Sequence, residues 1–107
     1  MNNKTMYGLY VIINISKDNK SYIGYTSQIK RLSNGKISNN RISQHKRELK
    51  QNKHSNKNLQ NDYNNKDILV FKTILIGSQK QCKQLEYKLI KSGLYEYNII
   101  GKIKDIN

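Results

Sequence analysis

Gly8-Leu9-Tyr10-Val11-Ile12-Ile13-Asn14-Ile15, the polar run Ser16 to Lys20, and Ser21-Tyr22-Ile23-Gly24-Tyr25-Thr26 together decide the fold. β-Branched and aromatic residues dominate both flanks while Ser, Asp, Asn and Lys fill the middle, so the stretch predicts a β-hairpin. Side chains alternate sides along a strand. Leu9, Val11, Ile13 and Ile15 therefore share one side, and an even pairing register puts Ile23 and Tyr25 with them. Tyr10, Asn14, Tyr22 and Gly24 then share the opposite, less apolar face. At Gly24 the missing side chain would let a substrate backbone approach.

Working outward, residues 27–40 carry Gly, Ser and Asn without periodicity and read as a loop. A polar helix is expected from about Ser38 to Gln51, with Ile42, His45 and Leu49 at helical spacing. A short helix capped by Ser55 would carry Leu59 and Tyr63 one turn apart. Ile68 to Ile76 is the most apolar run and reads as a central strand ended by Gly77. Ser78-Gln79-Lys80-Gln81 has the form of a capping box. The helix it opens would bury Cys82, Leu85, Leu89 and Ile90 and stop at Gly93, with Tyr95 to Ile100 as a short extended tail. Interleaved strands and helices in 107 residues make one domain, 1–107, of α/β or α+β class.

Composition narrows the function. With 20 Lys and Arg against 7 Asp and Glu, the chain has a formal charge of +13, which makes nucleic acid the first partner to consider. Lys outnumbers Arg 17 to 3, a bias that AT-rich coding would also produce. A single cysteine excludes a disulfide framework and a multi-cysteine zinc site. No apolar run approaches the ~20 residues that cross a bilayer, so no membrane partner is expected. Met1 to Thr5 shows no apolar signal core, and a cytoplasmic setting is the expectation.

Few residues can carry chemistry. Glu86 falls at the border of the apolar stripe on its helix, where a boundary carboxylate with a solvated head and a ligand for one hard divalent cation are both open readings. Arg41 and His45 stand four apart and so share a helical face, able to hold a phosphate and to donate or relay a proton. Taken as an isolated pair they read better as a solvated polar face. His54 lies beside Lys53 and Lys57 and alone reads as a surface residue. Tyr commonly just packs in strands, but Tyr10 and Tyr22 lie on the less apolar face of the hairpin.

These residues together match a pattern. Gly8-Leu9-Tyr10, eleven residues, then Tyr22-Ile23-Gly24 resembles the paired signature of the GIY-YIG nucleases. Arg41 with His45 one turn on, Glu86 in Gln84-Leu85-Glu86-Tyr87, and Asn98 in Tyr97-Asn98-Ile99-Ile100 follow in the family's order. The His45 to Ser55 segment and the terminal Tyr-Asn-Ile are most similar to catalytic domains of phage homing endonucleases. Each piece is a short pattern; the order and spacing of all five, over residues 7 to 100, give the resemblance its weight. The interval between Gly24 and Arg41 is longer than in compact members, which makes Arg31 the rival catalytic arginine; with Arg41 preferred, Arg31 becomes a DNA-backbone contact.

The resemblance implies a small three-stranded antiparallel sheet flanked by helices. It also implies a DNA endonuclease that hydrolyses phosphodiesters with one divalent cation, Mg²⁺ or Mn²⁺. Glu86 would hold the metal and Tyr10 would be the general base. Tyr22 and His45 would orient the water or relay its proton, Arg41 would neutralise phosphate charge, and Asn98 would brace the site. Gly24, Arg31, Lys46, Lys53, His54 and Lys57 would contact DNA. No separate DNA-reading domain fits in this length, so a homodimer or higher oligomer is one route to double-strand cleavage.

Three rivals share features with this reading. Asp67 with Glu86-Tyr87-Lys88 imitates a restriction-type acid and E-x-K, which needs a strand where the spacing predicts a helix. An HNH nuclease would use His45 and His54. A non-catalytic nucleic-acid-binding module would use the charge and the Tyr face and need no metal.

Overall fold

The computed structural model describes residues 5–98. Its elements in chain order are β1 (Met6–Asn14), β2 (Lys20–Arg31), β3 (Ile37–Asn39), α1 (Asn40–Lys50), α2 (Lys57–Asn64), β4 (Leu69–Gly77) and α3 (Gln79–Lys91). The strands form one antiparallel sheet in the order β3-β2-β1-β4. The fold is mixed α+β, with four strands where three were expected. The extra strand comes from the segment read as a loop, whose start extends β2 to Arg31 and whose end pairs Ile37 to Asn39 with Arg31 to Ile29.

The hairpin turns through Asp18 and Asn19, both at positive φ (49° and 61°). Asp and Asn tolerate that left-handed region better than most residues. Its register is even, pairing Leu9 with Tyr25, Tyr10 with Gly24, Val11 with Ile23 and Ile12 with Tyr22. The expected division of faces follows. Leu9, Val11 and Ile23 bury against Cys82, Leu89 and Ile90 of α3. On the other face Ile12 and Tyr22 pack with Leu49 of α1, Leu59 and Tyr63 of α2, and Tyr97.

Several local expectations change. The Ile68 to Ile76 run is not central: β4 lies at the sheet edge and alternates half-buried with exposed residues, leaving Val70, Ile74 and Ile76 at the surface. Asn56, not Ser55, caps α2, accepting the Leu59 N–H at 3.1 Å. The capping box on α3 forms with both halves present, and Gly93 follows the helix at φ 82°. Leu85 leaves the buried stripe for the surface. In the tail, Glu96 to Asn98 form a helical turn instead of an extended segment, and Ile99 and Ile100 lie outside the described residues.

That turn is anchored by a buried polar network. The Tyr97 hydroxyl donates to Asp62 at 2.6 Å and accepts from Asn14 at 3.0 Å, while Asn14 also donates to Asp67 at 2.8 Å. Lys17 and Lys20 bring their ammonium groups to Asp62 at 2.5 and 3.6 Å. Burial alone would raise the Asp62 pKa, but Lys17, the Tyr97 hydroxyl and Lys20 outweigh it and hold the carboxyl below its ordinary value. The network ties the hairpin end, α2 and the C-terminal turn into one unit, which fixes the position of Asn98.

Candidate active site

Tyr10 is 1% exposed, and its ring lies across Gly24 on the neighbouring strand. A Cβ added to Gly24 would fall inside the phenol of Tyr10. Gly24 is therefore buried, and the expectation that it meets a DNA backbone is corrected: the space left by its missing side chain is filled by Tyr10. Tyr22 sits two residues before Gly24, half-buried, with its ring centroid 6.2 Å from that of Tyr10.

Asn39 caps α1, its side chain accepting from the N–H groups of Arg41 and Ile42 at 3.1 and 3.3 Å. This starts the helix so that Arg41 and His45 face the Tyr pair. The Tyr10 hydroxyl oxygen lies 2.6 Å from Nε2 of His45, and Nδ1 of His45 lies 2.6 Å from Nε2 of His54. Nδ1 of His54 accepts the backbone N–H of Asn56 at 3.0 Å. His54 is 1% exposed, so its expected role as a DNA contact is also corrected: docking of the α1–α2 loop turns its ring inward onto His45.

Burial governs the protonation of these groups. It raises the Tyr10 pKa above that of an ordinary phenol, reinforced by Tyr22 and opposed by Arg41. Tyr22 is raised for the same first reason, against the Tyr10 hydroxyl and Arg41, while the Glu86 charge adds to the rise. His45 is pushed down to about 3 by burial, then by Arg41 and His54. Burial likewise lowers His54, with the Glu48 carboxylate opposing. Both imidazoles are neutral near pH 7.

Glu86 and Asn98 stand apart from that buried chain, along the outer edge of β2. β3 pairs only with the far end of β2, from Ile29 to Arg31. Asn98 takes over at Ile23, where its Oδ1 accepts the N–H and its Nδ2 donates to the C=O, both at 2.9 Å. The Glu86 carboxylate is half-buried; burial raises its pKa, opposed by the backbone N–H of Tyr25 and by Lys83. Arg41 is the arginine whose charge acts on Tyr10, Tyr22 and His45, whereas Arg31 lies exposed at the end of β2. Lys46, Lys53 and Lys57 are exposed, as DNA contacts would need to be, with the Lys46 ammonium 5.0 Å from the Phe71 ring.

One grouping of metal-ligating type exists among the described residues. His45, Glu48 and His54 bring one ligand atom each within 4.8 Å of one another, a set that could hold a metal ion. Glu86 is not part of it. Glu48 is the member that the sequence reading lacks, and its place three residues after His45 on one helix is the signal for it. No family model matches this chain, and neither a curated protein nor a solved structure matches it.

Proposed function

We propose that this chain is a divalent-metal-dependent DNA endonuclease of the GIY-YIG type. The observation that carries the reading is the gathering of three elements at one place. Tyr10 from β1, Tyr22 from β2 and His45 from α1 lie ring against ring with the Arg41 charge acting on all three, while Glu86 of α3 stands at the neighbouring edge of β2. A formal charge of +13 suits a polyanionic substrate.

The donor set fits a hard cation. Glu86 offers a half-buried carboxylate whose charged form lacks a cation partner strong enough to offset its burial, and Mg²⁺ or Mn²⁺ is commonly held by one or two carboxylates plus substrate phosphate. Glu86 would hold the ion, which would supply Lewis-acid charge to the scissile phosphate. Arg41 places its guanidinium against the non-bridging phosphate oxygens. Tyr10, as the phenolate after its own proton has left to solvent on the side away from His45, accepts the proton of the attacking water at Oη, and Tyr22 orients that water. Asn98 keeps the edge of β2 in place beneath Glu86. With one carboxylate at this edge, a two-metal site is not part of the reading.

Supercoiled plasmid incubated with the purified chain and Mg²⁺ is expected to be nicked, and EDTA to abolish nicking. Glu86→Gln and Arg41→Ala are each expected to lose about 10²-fold or more in rate while keeping DNA affinity within about tenfold. Equal rates for wild type and Glu86→Gln would overturn the assignment. The near-complete burial of Tyr10 favours a second reading, a basic binding module without catalysis. It predicts DNA retention with no nicking in any metal.

A further inference from the structure

The buried hydrogen-bond chain has a direction, and a backbone amide sets it. An amide N–H can only donate, so Nδ1 of His54 must be the acceptor in its 3.0 Å contact with Asn56. Neutral His54 therefore carries its hydrogen on Nε2 and donates it to Nδ1 of His45, 2.6 Å away. That leaves neutral His45 with its hydrogen on Nε2, aimed at the Tyr10 oxygen 2.6 Å off. The Tyr10 oxygen thus accepts a hydrogen bond from His45, which leaves its own hydrogen to point away from that ring. Burial that disfavours the charged imidazoles keeps both rings in the neutral form this ordering needs.

We propose that His54 is a positioning residue: held by the Asn56 N–H, it locks His45 as the Nε2–H tautomer and so fixes Tyr10 as an acceptor from His45 and a donor outward. The proposal rests on the nuclease reading and adds what the Tyr–His contact does there. His45 in this tautomer cannot take a proton from Tyr10, because the facing nitrogen already bears one and the far end of the chain meets an amide hydrogen. The chain orients Tyr10 and stabilises its phenolate by N–H donation; it does not conduct protons away. The same lock opposes a metal at the His45–Glu48–His54 set. Coordination through Nε2 of His54 would require its hydrogen to leave that nitrogen and the Asn56 bond to break.

The test joins spectroscopy to kinetics. In long-range ¹H–¹⁵N spectra of the full chain near pH 7, both His45 and His54 are expected as pure Nε2–H tautomers. His54→Phe removes the donor and is expected to mix the His45 tautomers and to lower kcat by about 10–100-fold, with DNA affinity retained. His54→Gln, whose amide can donate to the same nitrogen, is expected to restore the single His45 tautomer and most of kcat. His45 found as Nδ1–H in wild type, or an unchanged His45 tautomer and kcat in His54→Phe, would overturn the proposal. Should His54→Phe fail to fold, the wild-type spectrum alone still decides the lock. Wild-type protein with both rings as Nε2–H that cuts no DNA upholds the lock and removes the nuclease reading.

Discussion

Asn98 holds Ile23 by both backbone groups, its side-chain oxygen on the N–H and its nitrogen on the C=O, each at 2.9 Å. A single amide thus stands in for a neighbouring strand at the point where β3 has ended. It also ties the C-terminal turn to the residue between Tyr22 and Gly24.

Asn98→Ala leaves those two strand-edge groups without their partner. The expected cost is about 1–3 kcal/mol in urea unfolding, with a loss of nicking beyond what stability explains. An unchanged unfolding midpoint would show that water replaces the amide fully.

Gly24→Ala tests the seat of Tyr10. The added methyl cannot coexist with the phenol, so the ring must leave its place over the strand and its 2.6 Å contact with His45. Overpacking is expected to cost about 1–3 kcal/mol, and displacement of the phenol about 10²-fold in nicking rate. Wild-type melting and cleavage in this variant would contradict the placement of Tyr10.

Acid should destabilise the fold in two stages. His45 and His54 have folded pKa values below the ~6.5 of the unfolded chain, so as pH falls below about 6.5 the unfolded state binds protons that the native state refuses. Stability therefore begins to fall there. Asp62 is depressed too; its contribution is present above ~3.9 and is lost as pH drops through its folded value. Glu86, raised by burial, runs the other way and stabilises slightly at low pH. Thermal melts from pH 8 to 3 are expected to show a Tm falling from about pH 6.5 and falling further below about pH 4. A Tm flat from pH 8 to 4 would contradict the burial of the imidazoles.

Salt should govern DNA binding. A chain of charge +13 that neutralises several phosphates is expected to lose affinity with a log–log slope of about −5 or steeper in KCl. Titration by fluorescence anisotropy measures it. A flat response would mean that the lysine-rich surface does not meet the backbone.

What could be read beforehand was local. Strand alternation needs only the order of residues, so the separation of Leu9, Val11 and Ile23 from Tyr10 and Tyr22 was visible, as was the Ser78 and Gln81 cap. β3 was hidden because three residues carry no period and pair only by virtue of where β2 ends. The β4 run looked central because it is apolar on both faces, and apolarity does not distinguish a covered strand from an edge. Arg41 and His45 were legible from their helical spacing. The inward turn of His54 was not, since it depends on how the α1–α2 loop docks and on a backbone amide that has no signature in the side-chain pattern.

The position of β4 bears on how the protein must be handled. Among the described residues its far rim has no neighbouring strand, and Val70, Ile74 and Ile76 are open beside it with Lys72 between. Such a rim invites self-association, and here mutual repulsion between like-charged copies is the main guard against it. The concentrated salt that would release the protein from nucleic acid during purification also removes that guard. Dilute protein, or anionic cosolutes exchanged out promptly, should keep the copies apart.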